Sequence, residues 1–247
     1  MARPFRALQM PHLRESIKDF AWRQITESGA SSLSLRKIAR EIGITAPAIY
    51  NYFPDRDALV TALIIDAYAS FGDFQHEAKA SFPEPGQAAE RLRATGIAYR
   101  RWAIKYPHRY MLIFGSPVPG YVPPMQELLP VMMRSLGALT AVIAELHIAG
   151  RLEVRGIPHP LIEPGHRFFS LPDTADPGTF AVYSVAMLIW SRVHGLVSLE
   201  ITGQLPPFAE DGEALYRYEL DAICLQFIRP SQDGEDVISS TRSRSSQ

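Results

Sequence analysis

Apolar residues recur at helical spacing along almost the whole chain. Leu13, Ile17, Phe20, Ala21 and Ile25 fall on one stripe with charges opposite, which predicts a helix from about Pro11 to Glu27. Pro11 suits a first helical position and Gly29 a C-terminal stop. Leu35, Ile38 and Ala39 mark a short helix opened by Ser34 as N-cap and closed at Gly43, where a left-handed conformation costs little. Thr45 caps another short helix, Ala46 to Phe53, with Pro47 placed where its missing N–H does no harm. Pro54 breaks the chain, and Asp55 caps a longer helix running towards Lys79. Past a Pro-bearing loop at 81–86, the pattern predicts helices at 87–106, 108–114, 125–149, 180–203 and 208–228. Pro130 imposes a kink or a late start on the helix over 125–149. Residues 150–178 hold five prolines and read as an irregular excursion, and 230–247, with little to bury, reads as a disordered tail. No convincing strand pattern appears, so the predicted fold class is all-α.

The two short helices joined by Glu41-Ile42-Gly43-Ile44-Thr45 match a helix-turn-helix, in which a turn glycine lets the second helix cross the first. On that second helix Ile49 and Phe53 share a face directed at Ile38 and Ile17, which leaves Ala46, Pro47, Tyr50 and Asn51 on the other. Small residues let a helix approach a major groove closely, and Ala or Pro can touch a thymine methyl. Tyr50 and Tyr52 bring hydroxyls suited to phosphate oxygens, and Asn51 reaches a base edge or a phosphate. Ser34 and Arg36 open the preceding helix, where unpaired N–H groups favour an anion, and Arg56 is placed to hold the opposite backbone. The alternative is a helical hairpin with its tyrosines packed inward. It requires the helical period to fail at Tyr50 and Asn51.

Composition bounds the rest. The chain has 247 residues, 47% apolar and 21% charged, ordinary for a globular protein able to bury a core. The net charge of −1 conceals an asymmetry: the first 60 residues carry +3 and the remainder −4, a basic head on an acidic body. One cysteine, Cys224, rules out an intramolecular disulfide and a cysteine-cluster zinc site. The longest nearly uncharged apolar stretch has 12 residues, short of a membrane span, and the start lacks a secretory pattern, so a cytoplasmic protein with no membrane partner is expected. Enzyme signatures are absent: His76-Glu77 is followed by Ala80 where a zinc helix needs its second His, and there is no nucleophile elbow or P-loop. No cofactor, metal or catalytic residue is expected.

The body is dense in aromatic and Met residues at helical spacing. Trp102, Tyr106, Tyr110, Phe114, Met125, Met133, Trp190 and His194 together offer the apolar lining with scattered polar groups that a small-molecule pocket needs. The plainer alternative is that they fill a core. On the last helix Leu215, Tyr218, Ala222 and Leu225 form one stripe and Leu220, Ile223 and Phe227 another, so two partners are needed: the protein's own core and a second subunit. A homodimer sets two reading heads one helical turn apart, which suits a palindromic site in double-stranded DNA. The organisation is thus a three-helix DNA-binding head at 1–54, a helical effector-binding and dimerisation body at 55–229, and a tail at 230–247.

The stretch Leu33 to Leu59, Leu-Ser-Leu-Arg-Lys-Ile-Ala-Arg-Glu-Ile-Gly-Ile-Thr-Ala-Pro-Ala-Ile-Tyr-Asn-Tyr-Phe-Pro-Asp-Arg-Asp-Ala-Leu, resembles the DNA-binding signature of the tetracycline-repressor (TetR) family. By position the resemblance implies backbone contacts at Ser34 and Arg36, DNA contacts at Thr45, Ala46, Pro47, Tyr50, Asn51 and Tyr52, and a phosphate clamp at Arg56. Tyr52 stands where many members have His and Arg56 where many have Lys, both still hydrogen-bond donors. Residues 101–121, with Trp190, His194 and Gly195, resemble the WHG-type C-terminal domain of some of these regulators. The resemblance implies a regulator, most simply a repressor, released from its operator by a small apolar or aromatic effector. The alternative is a DNA-binding regulator whose body only dimerises or docks a protein partner.

Overall fold

The computed structural model describes residues 12–155, 157, 177–207 and 211–230, in which helices form where the apolar stripes lie. They are α1 (Leu13–Ser28), α2 (Leu35–Ile42), α3 (Ala46–Tyr50), α4 (Arg56–Ala80), α5 (Ala88–Lys105), α6 (Pro107–Phe114), α7 (Met125–Ile148), α8 (Pro177–Ile201) and α9 (Gly212–Phe227), with a 3-10 turn at Ala30–Ser32 between α1 and α2. Among the described residues no strand occurs, only an isolated antiparallel bridge between Leu152 and Ile228. The fold is all-α. Most of the excursion at 150–178 and the tail beyond Pro230 lie outside the described residues, as does the start expected at Pro11.

Local chemistry explains the boundaries. The Ser34 side chain accepts from the Lys37 N–H, and Gly43 closes α2 in the left-handed region (φ 80°, ψ 28°). Asp55 accepts the Ala58 N–H at 2.7 Å and so opens α4, while Asp211 accepts from Glu213 and Ala214 at the head of α9. Pro130 neither delays nor divides α7, which begins at Met125 and runs through it. α7 and α8 are long and apolar enough to cross a membrane, so the 12-residue limit read from the sequence understates them. Their cations nevertheless bond within the fold: Arg134 reaches the Ala69 carbonyl, and Arg192 pairs with Glu219.

The chain divides into two compact units, one of residues 1–72 and 103–135, the other of 73–102 and 136–247. The first takes in α4 as far as Gly72, where the sequence placed the end of the head at residue 54. Lys18 on α1 lies 2.6 Å from Asp66 on α4 and 2.8 Å from Glu15, and Ile17, Ile38, Ile49, Leu59 and Leu63 are buried in the same unit. Phe20, expected in the core stripe, is only half-buried, with the Arg23 guanidinium 3.6 Å from its ring centre. α6 is tied to α1 through Arg109, whose guanidinium lies 5.3 Å from the Trp22 ring and 4.7 Å from that of Tyr106.

The second unit packs α8 and α9 together around Val185, Ile189, Val193, Tyr216, Leu220, Ile223 and Phe227. The Tyr216 hydroxyl donates to the Gly96 carbonyl at 2.8 Å, and a Cβ at Gly96 would come within 2.5 Å of Leu220, so a glycine is what lets α9 approach α5. Arg100 bridges Glu200 (2.6 Å) and Glu213 (3.3 Å), and Arg91 pairs with Glu145. Cys224 lies buried on the inner side of α9, and burial pushes its thiol above its ordinary pKa.

Candidate nucleic-acid interface

The head presents the faces that helical periodicity assigns. Ile49 is 0% exposed and Phe53 1%, against Tyr50 at 39%, and Thr45, Ala46, Pro47 and Asn51 are all exposed. Thr45 opens α3 without a side-chain capping bond, and Pro47 sits in the first turn. Arg36 and Arg40 stand exposed on α2, and Ser34 is half-buried at its N-terminus. A short helix with an apolar inner face and a small, hydroxyl-bearing outer face, flanked by exposed arginines, has the chemistry of a groove-reading element.

Arg56 and Tyr52 depart from the expected pattern. The Arg56 guanidinium donates to the carbonyls of Ala30 (3.1 Å) and Ser31 (3.5 Å) and lies 3.6 Å from Asp57, so here it staples the turn between α1 and α2. A phosphate clamp at Arg56 therefore needs these bonds to be shared or broken. Tyr52 is half-buried, and its carbonyl accepts from Arg14 at 3.0 Å. Two residues the sequence did not single out thus belong to the frame of the site. Arg14 holds the turn that follows α3, and the buried Gln24 accepts the Ser34 N–H at 3.2 Å. No spacing signal marks either, since each acts on backbone brought near only by folding.

The positions expected to line a pocket fall into both units. In the first, Tyr110 is buried and lies 5.2 Å from Phe114, which meets Tyr68 (5.9 Å) and Phe71 (5.7 Å) edge-on. Met133 is half-buried, Met125 is half exposed at the first residue of α7, and the Tyr106 ring carries the cations of Lys105 and Arg109. Met125 is thus solvent-side and Tyr106 cation-bearing. In the second unit Trp102 is fully buried, and the Trp190 indole stacks on the His194 ring 4.5 Å away. His194 Nδ1 lies 2.8 Å from the Tyr99 hydroxyl, and burial holds the imidazole below its ordinary pKa.

Clefts also open among the described residues of the first unit. One of about 350 Å³ is lined by Ile25, Gly29, His108, Met111 and Val118 among others, and one of about 270 Å³ by Arg14, Tyr52, Phe53, Thr61 and Glu127 among others. Neither is lined by the expected pocket residues. On α9, Tyr218 is 73% and Leu225 84% exposed, with Leu215 and Ala222 half-buried beside them, while Leu220, Ile223 and Phe227 are buried. The two stripes read from the sequence are separated, one inward and one outward.

Residues 17–63 match the family model described as bacterial regulatory proteins, tetR family, and residues 92–223 match the tetracyclin repressor-like C-terminal domain. The HTH-type transcriptional regulator Rv1816 of Mycobacterium tuberculosis is 34% identical over 194 residues, which span 78% of this chain and 82% of that protein. The crystal structure of the regulatory protein SCO4313 superposes with a TM-score of 0.68 at 33% identity, covering 90% of this chain and 98% of that one. SmeT, solved in complex with triclosan, shares the fold at 16% identity, with a TM-score of 0.58 over 88% of this chain and 92% of its own.

Proposed function

The chain belongs to the tetR family of bacterial regulatory proteins, a DNA-binding transcriptional regulator, and from that premise we propose that it is a cytoplasmic homodimeric repressor released from a palindromic operator by a small apolar or aromatic effector. The observation that carries this reading is the orientation of α3: Ile49 faces inward while Tyr50 and Asn51 face out. Ser34, Arg36, Thr45, Ala46, Pro47, Tyr50, Asn51 and Tyr52 form the DNA face, with Arg56 as the staple behind it. The outward stripe of α9 supports dimerisation through Leu215, Tyr218, Ala222 and Leu225.

In the second unit the buried Trp102 and the Trp190 indole stacked on His194 support an aromatic-lined effector site there, and the Tyr110–Phe114 pair is a separate aromatic cluster of the first unit. SmeT, a protein of this fold, forms a complex with triclosan, which agrees with small-molecule control. The effector acts by favouring a conformer whose two heads no longer match the operator spacing, a coupling typically of about 1–3 kcal/mol. α4, which contributes residues to both units, is the element that carries it. Rv1816 and SCO4313 are both named as regulators.

The test is selection of a duplex from a random-sequence library by the unmodified protein, followed by titration of variants against it. Tyr50→Phe and Asn51→Ala should each lower affinity about tenfold, since each removes a polar group from the reading face. An unchanged binding isotherm for the double variant overturns the assignment of the DNA face.

A further inference from the structure

α3 contains five residues, too few for a helix to hold itself in water. Its N-cap makes no side-chain bond and its last turn carries no basic residue. The contacts that fix it must therefore come from other elements, and two kinds are present. Ile49 and Phe53 are buried, which sets how deeply the helix is seated. Apolar packing is non-directional, however, and leaves the rotation of a short helix about its own axis weakly defined.

The directional contact comes from α1. Arg14 Nη1 donates to the Tyr52 carbonyl at 3.0 Å, at the turn that ends α3, and the same guanidinium lies 4.4 Å from the centre of the Phe53 ring. The Tyr52 carbonyl, two residues past the end of α3, thus receives a donor from another element and the turn that closes the short helix is held from outside. The planar guanidinium does this while resting on Phe53, so that one side chain holds both the backbone and the inner face of the reading segment.

We infer that Arg14 is a positioning residue for DNA reading: from α1 it pins the turn that follows α3 and holds the rotation at which Tyr50 and Asn51 face outward. The inference rests on the DNA-binding reading above. It assigns an exposed arginine of a basic head to the backbone of its own chain, where a count of charges would assign it to phosphate.

The probes are the duplex enriched from the random library and an unselected duplex of equal length. Arg14→Met should weaken binding to the enriched duplex about tenfold. Binding to the unselected duplex, and the slope of log Kd against log salt for both, should stay as in the unmodified protein. Arg14→Lys, which keeps the charge and loses the planar fork, should recover part of the affinity with full helical circular dichroism, and it carries the test if Arg14→Met folds poorly. A fall in salt slope by about one phosphate contact on both duplexes makes Arg14 a phosphate contact and overturns the proposal. So does an Arg14→Met variant that binds the enriched duplex normally while Asn51→Ala does not, which leaves the DNA face standing. Failure of the protein to enrich any duplex overturns both readings.

Discussion

His194 is held between the Trp190 indole and the Tyr99 hydroxyl, with the Ser198 hydroxyl 3.4 Å from Nε2. Burial keeps its folded pKa below the ordinary 6.5, so the unfolded chain takes up this proton first as the pH falls. The contribution of His194 to stability is therefore unchanged above about pH 6.5 and is lost as the pH drops through that value towards the folded pKa. Denaturant unfolding followed from about pH 8 to about pH 5 should show an acid-side loss that is smaller in His194→Phe. Equal slopes for the two proteins contradict the depressed pKa. At this scale the sequence is legible where a side chain's direction follows from the helical period, as with Ile49, Tyr50 and Asn51. Arg14, Gln24 and Arg56 were not legible in the same way. Their long side chains reach backbone 38, 10 and 26 residues distant, and nothing local encodes those targets.

Element boundaries were legible where capping chemistry is local, as at Ser34, Gly43 and Asp55. Partners were less so, and α1 shows why. Its period places Lys18 among the polar positions, yet the side chain is 11% exposed and bonds Asp66 and Glu15. Phe20, apolar and in register, is instead covered by Arg23. The Lys18–Asp66 pair fastens α1 to the middle of α4, the helix proposed to transmit the effector signal. With Asp66 partly in solvent, Asp66→Asn should cost about 1 kcal/mol, and Lys18→Met less because its stem still packs. A double-mutant cycle in urea should return a coupling of about 0.5–1 kcal/mol, and a coupling of zero removes the pair as a fastening.

For the whole molecule, the proposed dimer turns on the outward stripe of α9. Tyr218→Asp with Leu225→Asp touches no buried position of the chain, so helical content should be retained. The mass by light scattering should fall from that of two chains to 27.6 kDa. Affinity for the enriched duplex should drop by at least about 100-fold as the second head is lost. A variant that stays dimeric places the interface elsewhere. The all-α class and this stripe were readable from residue pattern alone. The division into two units was not, since α4, α5 and α7 each run unbroken through it, with Gly72 lying inside α4 as one more helical residue. The buried thiol of Cys224 bears on how the heads can be observed. Sequestered on α9 and protonated at neutral pH, it reacts slowly with alkylating reagents, so an Arg40→Cys substitution creates a single addressable handle on each chain. A pair of nitroxide labels there is a molecular ruler between the two subunits, read by dipolar spectroscopy in frozen solution before and after a metabolite is added.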